Sequence, residues 1–461
     1  MTYRPGPRIL TLGPEFYDPV APADFPQAIP RFLNQRWAER VGLGELEPDA
    51  WAGHFCRFAP LPDNLPQPLA LRYHGHQFRV YNPDIGDGRG FLFAQLRDSE
   101  ERLLDLATKG SGTTPYSRTA DGRLTLKGGV REVLATEMLE ALGLNTSKTF
   151  ALFETGERLV RGDEPSPTRS AVLTRLSHGH IRIGTFQRLA YLREAENIKA
   201  LVRYCLESLY GIAPRNDDAE NAFALFDAVA GATARLAAGY LAAGFVHGVL
   251  NSDNINVTGE SFDYGPWRFT PDWDAEFTAA YFDHYGLYAF TRQPEAIQWD
   301  LAQLGGALSL VTEAPPLSDA LGAWSARFEA ALFEALLQRL GVEQRGGEAD
   351  RDLAVALIQA LQTREVGIDR LFHDWRGGRD PGAGVYASEP FRTLAHALEG
   401  RAGVRNHPYW SDAEPCSMHI EEVEAIWAAI AEADDWQPFE RKVTAIRRMG
   451  EAHAEGSPGA G

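Results

Sequence analysis

The chain has 461 residues, 44% of them hydrophobic and 23% charged, with a formal net charge of −18. That length exceeds what one hydrophobic core usually serves, so two lobes or domains are expected, and the apolar content excludes general disorder. The negative charge argues against a general nucleic-acid binder or an anionic-membrane binder, because repulsion opposes docking on phosphates, yet it leaves room for a local basic pocket.

The N-terminus, MTYRPGPRILTLG, has no apolar signal core. Residues 1–68 are rich in Pro and aromatics, which predicts an extension packed on the body, with one helix over Pro30–Val41. From Leu69 to about residue 185 the pattern is strand-like. Arg79–Tyr81 and FLFAQLRD read as two strands joined by the glycine turn IGDGRG, and RLLDLATKG as a further strand ending at Lys109. Leu124–Leu142 switches to helical spacing, with Val130, Val133, Leu134, Met138 and Leu142 on one face. FALFETGERLVRG and SAVLTRLS return to strand. A mostly antiparallel sheet carrying one long helix follows.

Residues 186–450 read as helical, beginning with the Ala/Leu-rich stretch Ala222–Gly244, then a loop, HGVLNSDNINV, and a strand-turn, FDYG. Helices run from Pro294 to about Met449 around a charged, Gly-rich joint, QRGGEADRD, and residues 451–461 read as a disordered tail. No stretch approaches a membrane span, and Cys56, Cys205 and Cys416 form no CxxC pair. A cytoplasmic, soluble protein without a disulfide framework or zinc site is expected. The order, strands first and helices after, is that of an α+β, protein kinase-like two-lobed fold with a β-rich N-lobe and a helical C-lobe.

The chemistry-bearing residues fit that order. Glycines at Gly86, Gly88 and Gly90 let a backbone approach a ligand and present N–H groups to phosphate oxygens, although a plain hairpin turn has the same composition. Arg89 within the loop suits an added phosphate contact. Lys109 ends a strand and Glu132 lies on the next helix. A strand lysine held by a helix glutamate aims an ammonium at nucleotide phosphates; Glu137 is an alternative partner.

The strongest local signal is His247-Gly-Val-Leu-Asn-Ser-Asp-Asn254, followed nine residues later by Asp263-Tyr-Gly. Kinase-like catalytic loops read H-x-D-x-x-x-x-N and precede a metal-binding aspartate. Asn254 and Asp263 occupy the metal-type positions and suit Mg²⁺ or Mn²⁺. Val249, however, stands where the catalytic aspartate belongs. Either the chain is inactive, or Asp253 has taken over the proton-accepting role.

Arg175 and Arg182 flank SHGHIRIG where sheet gives way to helix, and arginines there would stabilise a polyphosphate by bidentate contacts. The polar loop of Arg118, Asp121, Gly122 and Arg123 is placed to fold over the cleft. His74 and His76, like His178 and His180, lack a third ligand nearby, so hydrogen-bonded structural roles are expected. Asp300 is a candidate brace beneath the catalytic loop, or else a surface charge.

The blocks YHGHQF, GDGRG, KGSGTTPYSRTADGR, VREVLATE, SAVLTRLSHGHIRIG and HGVLNSDN with DYGP occur in order over about residues 70–305. Through them the sequence resembles the selenoprotein O family, the kinase-fold protein adenylyltransferases also called YdiU-like proteins. The resemblance implies transfer of AMP from ATP to Ser, Thr or Tyr hydroxyls of protein substrates. Pyrophosphate leaves, and ATP lies inverted relative to ordinary kinases.

Carried over, the family pattern puts Gly86, Gly88, Arg89, Lys109, Asp121 and Gly122 on the nucleotide, with Arg175 and Arg182 on its phosphates. Glu132 pairs with the lysine, Asp253 accepts the proton, and Asn254 and Asp263 hold the metal. Arg79 departs from the family, which has a glycine there. The ending SPGAG departs from the Cys- or selenocysteine-bearing tail of many members, so redox control through a C-terminal thiol is not expected. The competing readings are a γ-phosphate kinase and a catalytically silent ATP-binding scaffold.

Overall fold

The computed structural model describes residues 2–455 apart from Ala383, and the tail expected beyond residue 455 lies outside them. The fold is α+β. Among the described residues an eight-stranded antiparallel sheet runs in the order β1 (Tyr17–Pro19), β3 (Leu69–Leu71), β6 (Leu92–Arg97), β7 (Leu103–Lys109), β10 (Thr168–Ser177), β9 (Lys148–Leu159) and β2 (Ile29–Leu33), with β8 (Leu124–Thr125) added to β10.

The N-terminal segment therefore does more than pack on the body, because it supplies both edge strands. The stretch expected as one helix, Pro30–Val41, instead begins in β2, and the helix α1 is confined to Gln35–Arg40, started by the Asn34 side chain accepting from the Trp37 N–H. A second helix, α2 (Pro48–Phe55), follows. Trp37, Trp51 and Phe55 of these helices, with Phe58, bury one face of the sheet against Phe93 and Phe150. That gives the Pro-rich, aromatic start its physical role: covering apolar sheet surface that would otherwise meet water.

The opposite face carries α3 (Leu126–Ala141), opened by the Thr125 hydroxyl accepting from the Gly128 N–H. The expected hairpin across IGDGRG does not form. Instead β4 (Gly75–Gln77) pairs with β5 (Val80–Asn82) as a separate ribbon, and the glycine loop carries the chain from there to β6.

The second half is helical: α4 (Ile183–Tyr191), α5 (Ala195–Tyr204) and α6 (Asp218–Ala243) come first. Asp217 caps the start of α6 and Gly244, at φ 69°, ends it in the left-handed conformation. By length and composition α6 could cross a membrane, against expectation from the sequence. It is apolar on most sides because it is a central helix, buried among α7, α8 and α9.

The short strands β11 (Phe245–Val246) and β12 (Arg268–Phe269) pair and bracket the loop carrying Asp253 to Asp263, while the FDYG segment itself is not a strand. Then come α7 (Gln293–Leu308), α8 (Ala314–Gly322), α9 (Trp324–Leu340), α10 (Gly347–Gln362), α11 (Ile368–Asp374), α12 (Glu389–Leu398), α13 (Ile420–Ala433) and α14 (Gln437–Ala454). The Gly-rich joint is shorter than its sequence, since α10 begins at Gly347. The helix α14 likewise runs through the first four residues of the expected tail.

Candidate active site

Strand register brings the basic residues together. In the antiparallel pair of β7 and β10, Lys109 lies opposite Leu173 and Ala107 opposite Arg175, so Lys109 and Arg175 project from the same face two residues apart. A register shift in the β9–β10 pairing falls between Thr174 and Arg175, a local irregularity of the kind that re-aims a side chain. Lys109 Nζ donates to the Glu132 carboxylate of α3, both groups being buried. The alternative, Glu137, is committed elsewhere: it accepts from Arg447 at 2.7 and 2.9 Å and from Asn34. Lys109→Met should leave Glu132 buried without its counter-charge. A stability loss on the order of 3–5 kcal/mol is expected, measured by denaturant unfolding.

Asp263 is the point on which the cations converge. Its carboxylate lies 3.4 Å from Lys109 Nζ, 3.5 Å from Arg175 Nη1 and 3.2 Å from Arg182 Nη1. Burial alone would raise its pKa, but Lys109, Arg175 and Arg182 outweigh burial and hold it well below the usual carboxylate range. Arg182 is clamped between the rings of Tyr73 and Phe262, at 4.3 and 4.9 Å, and also donates to the Asp253 carbonyl and the Asp87 carboxylate. Arg175 Nε and Nη1 are buried without a hydrogen-bond partner, as is Arg182 Nε. Buried guanidinium donors carry a cost unless an anion meets them, and a phosphate fits them.

The loop from His247 to Asp263 is held from both sides. His247 is buried, accepts at Nδ1 from the Val249 N–H at 3.4 Å and so donates from Nε2 to the Phe262 carbonyl; burial keeps it neutral. Asn254 Nδ2 donates to the Val249 carbonyl at 3.1 Å, which commits the amide nitrogen to the loop's own backbone. Val249 thus contributes a backbone carbonyl and no carboxylate.

Asp253 is buried with Oδ1 unpartnered, and burial pushes its carboxyl up to about 7, with Asp263 adding to the rise and Arg182 opposing it. A Cβ at Gly75 would come within 2.9 Å of that Oδ1, so the ribbon β4–β5 sits directly against the loop and only glycine fits there. The YHGHQF block is therefore a buttress. His76 N–H donates to Ser252 Oγ and Phe78 N–H to Asn251 Oδ1, while the imidazoles of His74 and His76 bond to Tyr81 and Gln187. His180 faces Asp105. Among the described residues no cluster of three or more His, Cys, Asp or Glu is placed to hold a metal.

A cleft of about 360 Å³ is lined by Gly86, Gly88, Arg89, Gly90, Lys109, Arg175, Arg182, Asp253 and Asp263. A Cβ at Gly90 would strike the Thr108 carbonyl oxygen at 2.1 Å, which is why the loop passes so close to β7. Tyr116, Ser117 and Arg118 fold over the glycine loop, with Ser117 Oγ donating to the Gly88 carbonyl. Asp121 and Gly122 do not reach the lining: Asp121 is exposed and paired with Arg161 at 2.9 Å, and Gly122 packs against Gly112. Asn254 is not among the lining residues either. Asp300 is buried within α7 and is no surface charge; burial raises its pKa well above normal and its Oδ2 has no partner, so it does not brace the loop by a hydrogen bond.

Several lining residues were given no role by the sequence reading, among them Tyr73, Gln77, Asp87, Tyr116 and Ser117. Only Asp87 carried a signal, as a carboxylate between two glycines. It accepts from the Leu71 N–H at 3.0 Å and so ties the glycine loop to β3.

Buried arginines, a lysine–glutamate pair and two carboxylates of opposed pKa around one cleft are the features of a site suited to a polyphosphate. The family model described as protein adenylyltransferase SelO matches residues 1–383. The protein nucleotidyltransferase YdiU of Synechococcus elongatus is 39% identical, with 98% of this chain and 96% of its own length covered. That of Gloeobacter violaceus is 41% identical over 96% and 94%, and that of Vibrio cholerae 36% over 80% and 73%. The chain belongs to the SelO/YdiU family and is an enzyme of the nucleotidyltransferase class.

Proposed function

We propose that the protein transfers AMP from ATP to Ser, Thr or Tyr hydroxyls of other proteins, on a kinase-like two-lobed fold and with Mg²⁺ bound. The observation that carries the reading is Asp253, whose unpartnered carboxylate oxygen is buried beside the cleft where Lys109, Arg175 and Arg182 converge. The strand-rich segment 69–185 with α3 matches an N-lobe, and the helices that follow match a C-lobe.

Asp253 takes the proton of the acceptor hydroxyl. The hydroxyl oxygen bonds to the α-phosphorus, the bond to the oxygen bridging the α- and β-phosphates breaks, and pyrophosphate leaves with that electron pair. Lys109, Arg175 and Arg182 balance the charge that gathers on the phosphates. Asp263, held ionised, and the Asn254 oxygen are the hard ligands that would hold Mg²⁺. When bound, the ion would supply charge neutralisation at the phosphates.

The reading is tested by incubating the protein with Mg²⁺ and ATP labelled at either the α- or the γ-phosphate, with acceptor protein present. Protein label from the α-position is expected. Label from the γ-position only would make the chain a kinase, and no label from either would make it an ATP-binding scaffold.

A further inference from the structure

The ribbon that buttresses the catalytic loop ends in an unusual turn. Gln77 pairs with Val80, so Phe78 and Arg79 are the two turn residues, with φ of 51° and 62°. Both positions call for the left-handed region, where Asn-Gly is the ordinary choice and a bulky side chain is strained. Strain of this kind persists where the surroundings hold it for a purpose. Here it turns the Phe78 ring outward against Phe282 and Tyr288, at centroid distances of 5.9 and 5.1 Å, and sets Arg79 against Glu295 and the Trp299 ring.

The loop ahead of α7 continues the surface. Tyr281 stacks edge-on against Phe282 at 5.1 Å and is 84% exposed, and Tyr285 is 92% exposed. Val80 is exposed on the ribbon itself. An aromatic ledge is thus open to solvent on a chain that buries most of its large side chains. Tyrosine in such a place supplies contact area at small entropic cost, the usual make-up of a protein-binding surface.

The ledge is continuous with the candidate site. Asn251 Oδ1 accepts from the Phe78 N–H at 2.9 Å and from the Tyr288 hydroxyl at 2.7 Å, and Asn251 stands two residues before Asp253. Gln77, next to Phe78, lines the cleft. A hydroxyl delivered to Asp253 brings its flanking chain across these residues.

We infer that Phe78, Tyr281, Phe282 and Tyr285 form the docking ledge for the acceptor. Its partner is an extended protein segment with an aliphatic or aromatic side chain flanking the modified hydroxyl. This rests on the AMP-transfer reading above, and it names what that site selects.

Synthetic peptides with a central Ser, Thr or Tyr, flanked by Leu and Phe or by Lys and Asp, provide the probe, with α-labelled ATP as donor. The wild type is expected to prefer the Leu/Phe peptides. The double variant Tyr281→Ser/Tyr285→Ser, whose side chains support no core, should raise KM for those peptides about tenfold, the effect of losing one modest interface contact. Its KM for ATP should not change. Peptide KM values within about twofold of wild type, or no preference between the two peptide sets, would overturn the ledge while leaving the transfer reading intact. Failure of the wild type to label any peptide or protein from the α-position would instead overturn the transfer reading, and the ledge with it.

Discussion

Asp263→Ala is expected to abolish the proposed transfer, with a loss on the order of 10³-fold, or about 4 kcal/mol of transition-state stabilisation. Lys109, Arg175 and Arg182 all lie within 3.5 Å of this carboxylate, and in the proposed reaction it would be the ionised ligand of the divalent cation. Alanine removes that ligand and leaves three cations facing one another. Asp263 also sits at φ 55°, a conformation that Asp and Asn tolerate better than Ala. Asp263→Asn is therefore the sharper variant, keeping the backbone while removing the charge. Nucleotide binding should survive the asparagine substitution, because the phosphate-facing arginines and Lys109 remain, so a nucleotide-induced rise in Tm should persist while transfer is lost. Full transfer by either variant would show that the metal is not held at Asp263.

The residues that were legible in the sequence are those whose roles depend on local order along the chain. Lys109 ends β7 and Glu132 lies in the first two turns of α3, the next helix along the chain, so their pairing follows the order of elements; the competing Glu137 is separated from it by Arg447, distant in sequence, which claims Glu137. Asp263 was legible as a cleft residue because it follows the HGVLNSDN loop by nine residues, whereas Asn254, in that loop, does not line the cleft.

What the sequence concealed is long-range packing. The strands β1 and β2 are short, Pro-bearing and half-exposed, with no alternation to mark them, and they exist because sheet edges elsewhere in the chain need partners. For the YHGHQF block the sequence supported hydrogen-bonded histidines but not their place against the loop, because the contacts with Ser252 and Asn251 span more than 170 residues. Asp121 shows the converse. Its neighbours Tyr116 to Arg118 do cover the cleft, but the pull of Arg161 takes its own side chain outward.

Asp253→Asn should separate chemistry from stability. An amide cannot accept the acceptor's proton, so transfer should fall on the order of 10²–10⁴-fold, the range of a positioned general base. In the wild type kcat/KM should rise with pH through about 7 as the carboxyl ionises, and this limb should disappear in the variant.

Stability should move the other way. A carboxyl raised by burial binds its proton more tightly folded than unfolded, so folding stability falls as pH climbs from the ordinary carboxylate range to about 7 and then levels off. Asparagine carries no charge to bury. The Asp253→Asn protein should therefore melt above wild type, by more at pH 8 than at pH 5, a difference that thermal unfolding reads directly. Equal Tm differences at the two values would mean that Asp253 titrates as an ordinary carboxylate, and its oxygen would then be no more than a polar ligand of the cleft. The two outcomes together distinguish a base kept at a cost to the fold from a residue that merely fills its place.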